Sequence, residues 1–397
     1  MGLIFVSGFR REVFSLNKKN VYLLYGVALL QGMVFYAPIA TLYRQERGLG
    51  IFEITLIESI SMVVSLALEL PWGFLAERIG YRRTLLICNF FFFISKLIFW
   101  QASGFGMFLL ERLILSIVIS GLSGCDSAFL YLSAGKTDSL RVFGIYSAMG
   151  SAGTLFAATV FSLFLHGNSS LSALFTVFSY GFSLLLTIFS TEVENHVENS
   201  PDFKKQVFEM FAALKKQKRF FLFLLAAALL AQCNQTIAVF LNQLQYLRGG
   251  IRPETMGLLY IPAIVAELFA ARSHRLVSRI GEGNACTLLF LTGGAACLAM
   301  FFSANPVLSV GCVVLLRAAA ALFVPIQMEV ENRTVSAGNR AAVLSAYSVA
   351  MDVVSVGTNL LFGKAAETNV AASMLLGAGF CFAAFLSYGI WRRTGNR

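Results

Sequence analysis

Gly73-Phe74-Leu75-Ala76-Glu77-Arg78-Ile79-Gly80-Tyr81-Arg82-Arg83 is a charged turn set between two long apolar stretches, Ile51 to Ala76 before it and Thr84 to Ser103 after it. A helix needs about 20 mostly apolar residues to cross the hydrocarbon of a bilayer, and each flanking stretch reaches that length. Carried outward, the same ruler finds twelve segments. In the first half they are Val21 to Tyr43, Ile51 to Ala76, Thr84 to Ser103, Phe105 to Ala134, Val142 to His166 and Leu171 to Ser190. In the second half they are Phe220 to Tyr246, Thr255 to Leu276, Ala285 to Ser303, Pro306 to Val330, Ala341 to Phe362 and Ala371 to Trp391. Runs this long and continuous read as helices, because a membrane barrel strand is about 10 residues of strict alternation.

Composition points the same way. Of 397 residues, 57% are hydrophobic and 13% charged, whereas a soluble domain carries about twice that charged fraction. A soluble enzyme of this size would have too little polar surface, and disorder needs low hydrophobicity and high charge. Seven cysteines are scattered, mostly inside apolar runs, with no C-x-x-C pair, which argues against disulfides and zinc knuckles. His166, His196 and His274 all fall at span ends or in loops, so no metal site is expected.

The net charge of +10 suggests nucleic acid only if the basic residues share one wettable face. Their placement along the chain excludes that. Arg44, Arg47, Arg248, Arg252 and Lys364 fall on one side of the twelve segments, Lys96, Arg112 and Arg317 fall within them, and the rest of the 31 Lys and Arg lie on the other side. This is a positive-inside bias. It predicts that both termini are cytoplasmic and that the chain is a multi-pass protein of a cell membrane, in contact with lipid rather than nucleic acid; a monomer is expected.

The longest polar stretch, Thr191 to Arg219, divides the chain into an N-terminal bundle (1–190), a linker (191–218) and a C-terminal bundle (219–397). Within the linker, Phe203, Val207, Phe208, Phe211 and Leu214 recur at helical spacing, which predicts an amphipathic helix lying on the inner membrane face. The halves also echo each other. Leu75-Ala76-Glu77-Arg78-Ile79-Gly80 returns as Leu276-Val277-Ser278-Arg279-Ile280-Gly281, and Leu110-Glu111-Arg112 as Leu315-Leu316-Arg317. Two echoes in register imply parallel repeats related by an axis along the membrane normal.

The Gly73 to Arg83 loop, in its place after the second span, resembles the signature G-x-L-A-[DE]-R-x-G-x-[RK]-[RK] of the major facilitator superfamily, and the resemblance covers essentially the whole chain. It implies an all-α membrane protein of twelve transmembrane helices in two six-helix bundles. It also implies a gating role for Gly73, Glu77, Arg78, Gly80, Arg82 and Arg83, with Glu69 close by. Arg112 with Gly121 and Gly124 resembles a second signature of the superfamily, except that Ser116 stands where a glycine is usual. The fifth span has Gly150 and Gly153 but lacks the Gly-Pro pair of drug/proton antiporters. The runs Glu69 to Gly73, Ser123 to Tyr131 and Arg340 to Ser345 resemble a broad bacterial branch of permeases and efflux proteins.

Gly135-Lys136-Thr137 ends like a phosphate-binding loop, but Leu130 stands where that motif needs its first glycine and no strand precedes it. ATP hydrolysis is therefore not the energy source. Secondary transport on a proton gradient, without a cofactor, remains.

Ionisable groups inside the hydrocarbon cost about 2.5–3.5 kcal/mol each on insertion scales and mark function by default. Here they are Glu58 and Glu69 in the second span, Lys96 in the third, Glu111, Arg112 and Asp126 in the fourth, Glu267 in the eighth, Arg317 in the tenth and Asp352 in the eleventh. Helical rise puts Glu58, Lys96, Glu111 and Arg112 in one outer layer and Glu69 with Asp126 in another nearer the cytoplasm. Lys96 is expected to pair with Glu58 or Glu111. By resemblance, helices 1, 4, 7 and 10 line a central cavity, helped by 2, 5, 8 and 11.

Desolvation favours the protonated form of a carboxyl. The candidate proton carriers are therefore Asp352 and Glu267, with Glu58 and Asp126 behind them; a static Arg317–carboxylate pair is the competing reading. Gln31, Tyr36, Arg112, Gln232, Asn234, Gln235, Arg317 and Tyr347 are the expected solute contacts. Amides and aromatic rings with few fixed charges suit an amphipathic or weakly cationic organic molecule.

The expected function is proton-coupled efflux of such a solute by alternating access. An importer or facilitator and a lipid flippase are the alternatives. No nucleophile, base and orienter occur at matched spacing, so an enzyme is not expected.

Overall fold

The computed structural model describes residues 17–134, 139–193, 219–267, 270, 272–334 and 340–395. The amphipathic linker helix expected within 191–218 falls on 194–218, outside the described residues, and so do the surroundings of Gly73 and the side chain of Glu77 in the charged loop. Among the described residues the chain is helical and strand-free, and eleven helices are long and apolar enough to cross a membrane.

The N-terminal half begins with α1 (Lys18–Gly32), which continues past a short turn at Pro38 into α2 (Ala40–Glu46). The second and third spans are α3 (Ile51–Ile79) and α4 (Tyr81–Gln101). The fourth is α5 (Gly104–Leu122) followed by α6 (Cys125–Ala134), broken at Gly124, whose φ of 78° glycine adopts without strain. The half closes with α7 (Ser139–Leu163) and α8 (Ser169–Ile188).

The second half runs α9 (Phe221–Cys233), a π-helical stretch Asn234–Leu241 and α10 (Asn242–Arg248), together the seventh span. The eighth is α11 (Tyr260–Glu267) followed by α12 (Ser273–Ile280), with 268, 269 and 271 between them undescribed. It is the one expected span absent from the eleven continuous candidates. The last four spans are α13 (Glu282–Phe302), α14 (Pro306–Thr334), α15 (Arg340–Thr368) and α16 (Val370–Gly395).

Each half ties its loops together at its basic end. The backbone amide of Asn17 donates to the Ser133 carbonyl at 2.9 Å, and its side chain reaches Thr191. In the other half Arg333 pairs with Glu282 at 2.9 Å, and Arg392 lies against Gly283. Both ends of the described chain therefore lie at the basic end.

The halves meet at the opposite end. There Thr41 donates its backbone amide to Gln243 Oε1 at 2.9 Å and its hydroxyl to the Phe240 carbonyl at 2.9 Å, while Tyr260 donates to the Ala37 carbonyl at 3.0 Å. α3 packs along α15 and α7 along α11. At the first crossing a Cβ on Gly363 would stand 1.8 Å from Thr55 Oγ1, and at the second a Cβ on Gly257 would stand 2.2 Å from the Ala158 carbonyl oxygen. Only glycine permits such contact.

A cavity between the halves

Between this closure and the basic end, two connected lobes open between the halves. One, about 450 Å³, is walled by Gln232, Asn234, Gln235, Glu267, Arg317 and Asp352, with Phe323 and Gln327. The other, about 300 Å³, is walled by Glu58, Ser61, Ser65, Glu69, Arg112, Ser120 and Asp352. Met62, Gln235 and Asp352 border both, so Asp352 stands where the lobes join.

Local helix geometry places these groups. Gln232, Asn234 and Gln235 straddle the start of the π-helical stretch, a wide turn that alters backbone hydrogen bonding and is frequent at functional sites. Arg317 uses it, donating from Nη2 to the Ala238 carbonyl at 3.4 Å while Nη1 pairs with Glu267. Among the described residues the Asn234 side-chain oxygen and Arg317 Nε are buried without a hydrogen-bond partner. On the facing wall Arg112 pairs with Glu58, and Arg44 approaches the same carboxylate at 3.7 Å. Ser116 and Ser120 weld the fourth span to the second through Ser61 (2.7 Å) and the Ser65 carbonyl (2.8 Å). The serine in the usual glycine's place thus serves as a hydrogen-bonding contact.

Several sequence expectations need correction. Arg44, assigned to an outer loop, lies on α2 and is buried, because the first span continues past Tyr43 to Glu46. Lys96 joins neither Glu58 nor Glu111 among the described ion pairs. Its ammonium donates to Tyr36 Oη at 3.1 Å inside a box of the Tyr36, Phe92 and Tyr180 rings. Tyr36 is therefore a buried partner of Lys96, stacked on Phe99 with centroids 4.1 Å apart, and stands off the cavity. Gln31 is turned to Asn89 at 2.5 Å, and Tyr347 is packed against Phe220 at 4.7 Å. In Gln31 and Tyr36 the polar group serves helix packing, and in Tyr347 the ring does.

Asp126, expected to share a layer with Glu69, bonds its own Ser127 and accepts from Tyr146 at 3.4 Å, behind the cavity wall. Glu69 does line the cavity. In the charged loop Arg82 donates to the Ser190 carbonyl at 2.6 Å and the Ile188 carbonyl at 3.0 Å, capping the end of α8. A cation there answers the free carbonyls and negative dipole end of the helix. Arg78 is exposed, and Gly80 adopts a φ of 93° at the turn from α3 to α4. Arg83 is also exposed.

Sequence reasoning did not find Ser61, Ser65, Ser120 or Gln327. Serines in apolar helices carry no signal until the neighbouring helix is known.

Two helical bundles clasping a polar cavity between them are the architecture of a membrane transporter. The sequence profile of the Major Facilitator Superfamily matches residues 21–358, and the chain belongs to that family. In fold it is similar to the nucleoside transporter NupG (TM-score 0.79, 16% identity, covering 95% of this chain and 99% of that one). It is also similar to a bacterial homolog of the human lysosomal transporter Spinster in an inward-facing conformation (TM-score 0.73, 16% identity, 97% and 98%). A third likeness is to the POT family transporter PepTSo (TM-score 0.71, 10% identity, 96% and 98%). Compared by sequence with curated proteins, the chain finds no match.

Proposed function

We propose that this transporter exports a small amphipathic or weakly cationic organic solute across the bacterial plasma membrane in exchange for protons, with both termini in the cytoplasm. The reading rests above all on Asp352. It is exposed to the cavity at the junction of the two lobes, and among the described residues it has no ion-pair partner. Glu267, the other leading candidate, is held by Arg317 and Glu58 by Arg112, which makes Asp352 the freer group to take up and release a proton. Glu69 borders the same lobe from the other half. The cavity wall thus sets four carboxylates against two guanidiniums, a balance that attracts cations.

The test is uptake and release of ethidium and a panel of sugars and amino acids in proteoliposomes under an imposed pH gradient. Asp352→Asn is expected to abolish gradient-driven accumulation while leaving expression and thermal stability unchanged. Gradient-driven transport at the wild-type rate in that variant removes Asp352 from the mechanism. The absent Gly-Pro pair in the fifth span favours a facilitator or importer as a second reading. Transport down a solute gradient, indifferent to pH, would establish it.

A further inference from the structure

A single hydrogen-bonded thread runs from the cavity wall to the closure between the halves. Gln232 borders the larger lobe, and its Nε2 donates to Thr236 Oγ1 at 2.8 Å. Thr236 Oγ1 lies 3.3 Å from Asn359 Oδ1. Asn359 Nδ2 then crosses to the other half, donating to the Thr55 carbonyl at 3.0 Å and to Ser59 Oγ at 3.0 Å. Every side chain in the thread is buried, and beyond Gln232 none borders either lobe, so water is not at hand there to replace a lost link.

The donor directions are forced. The Thr55 carbonyl only accepts, so the amide nitrogen of Asn359 must face it. The amide oxygen then faces Thr236, whose hydroxyl must donate, and that hydroxyl oxygen is left to accept from Gln232. The two ends of an asparagine amide are nearly the same shape. The nitrogen is held toward the far half from both ends, by the Thr55 carbonyl and Ser59 on one side and by the Thr236 hydroxyl on the other.

We infer that Asn359 is a positioning residue that couples the cavity wall at Gln232 to closure of the opposite end, through Thr236. It deepens the transporter reading above, since closure has meaning only for alternating access. A solute that turns the Gln232 amide toward the cavity withdraws its N–H from Thr236. Thr236 also stands in the π-helical stretch Asn234–Leu241. Rewinding that stretch to an α-helix rotates Thr236 and withdraws its hydroxyl from Asn359. The wide turn is then the two-state element, and the amide of Asn359 is its readout.

The experiment needs neither solute nor gradient. Leu42, buried in the packing between the halves, is replaced by cysteine as a reporter in the full-length protein in lipid nanodiscs. The seven native cysteines are buried, and the parent without Leu42→Cys serves as blank. The rate of reaction with a bulky hydrophilic maleimide is measured. With about two- to tenfold expected for each hydrogen bond lost, Asn359→Ala should label at least about fivefold faster than the reporter alone. Thr236→Val and Gln232→Leu should label faster by smaller factors, and Thr236→Ser, which keeps the hydroxyl, should label at the reporter's rate. Asn359→Ala with Thr236→Val should label no faster than Asn359→Ala alone, because the two lie on one thread.

Multiplying effects in the double variant, or a Thr236→Val rate equal to that of Thr236→Ser, overturns the coupling. If Asn359→Ala does not yield folded protein, the contrast between Thr236→Val and Thr236→Ser decides by itself. Loss of pH-driven transport with the labelling pattern intact would remove proton coupling and keep the thread; the reverse would do the opposite.

Discussion

Two arginine–glutamate pairs face one cavity from opposite halves, Arg112–Glu58 in the first and Arg317–Glu267 in the second, yet they live in different solvents. The arginines stand at corresponding places in the fourth and tenth spans. The carboxylates do not. Glu58, on the long unbroken α3, is 6% exposed and has Arg44 as a second cation. Glu267, at the end of the short α11, is 54% exposed to the cavity. The same chemical pair is thus a structural brace where the carboxylate has left water, and an adjustable contact where it has not. Breaking a desolvated pair strands a charge, whereas a hydrated carboxylate finds water instead.

The sharpest way to break that contrast is Arg112→Ala. It leaves buried Glu58 with only the longer Arg44 contact and should cost about 3 kcal/mol, seen as lost expression or a large fall in melting temperature in detergent. Joint replacement, Arg112→Gln with Glu58→Gln, should recover only part of that loss, because buried Arg44 then loses the carboxylate it approaches. A single variant as stable as wild type would show that water reaches this pair after all.

Arg44→Gln comes next. It removes the second cation and the contact of Arg44 with the Phe99 ring, 5.5 Å to the centroid, for about 1–2 kcal/mol by the same melting assay. Smallest is Arg317→Gln, below about 1 kcal/mol because the carboxylate it leaves behind, Glu267, is hydrated. Its effect should instead appear in transport, as a raised KM with kcat held within a few-fold. A melting shift as large as that of Arg112→Ala would erase the distinction between the halves.

Much of this was legible in the chain itself. The apolar runs are long enough that no soluble packing competes with the bilayer, and the loop around Arg78 and Arg82 sits where its resemblance requires. The candidate site was legible in part. Gln232, Asn234, Gln235, Glu267, Arg317, Asp352, Glu58, Arg112 and Glu69 do gather around one space. Gln31, Tyr36 and Tyr347 do not, because a polar residue in a helix gives its depth more readily than its facing. Tyr36 shows why: its hydroxyl is taken by Lys96, a residue on a different span. Arg44 was misplaced for a simpler reason, since a charge at the edge of an apolar run reads as the end of the helix, whereas Glu58 holds it inside.

The sequence by itself determined that this is a helical membrane protein, because its apolar runs are long enough to span hydrocarbon as helices and too long and continuous for barrel strands. Which charges are braced and which are open to the cavity was decided only when α3 packed along α15 and the seventh span widened into a π-helix. Ion pairs and hydrogen bonds are made between helices far apart in the chain, and the energy of each depends on whether water can reach it. That quantity exists only in the folded molecule.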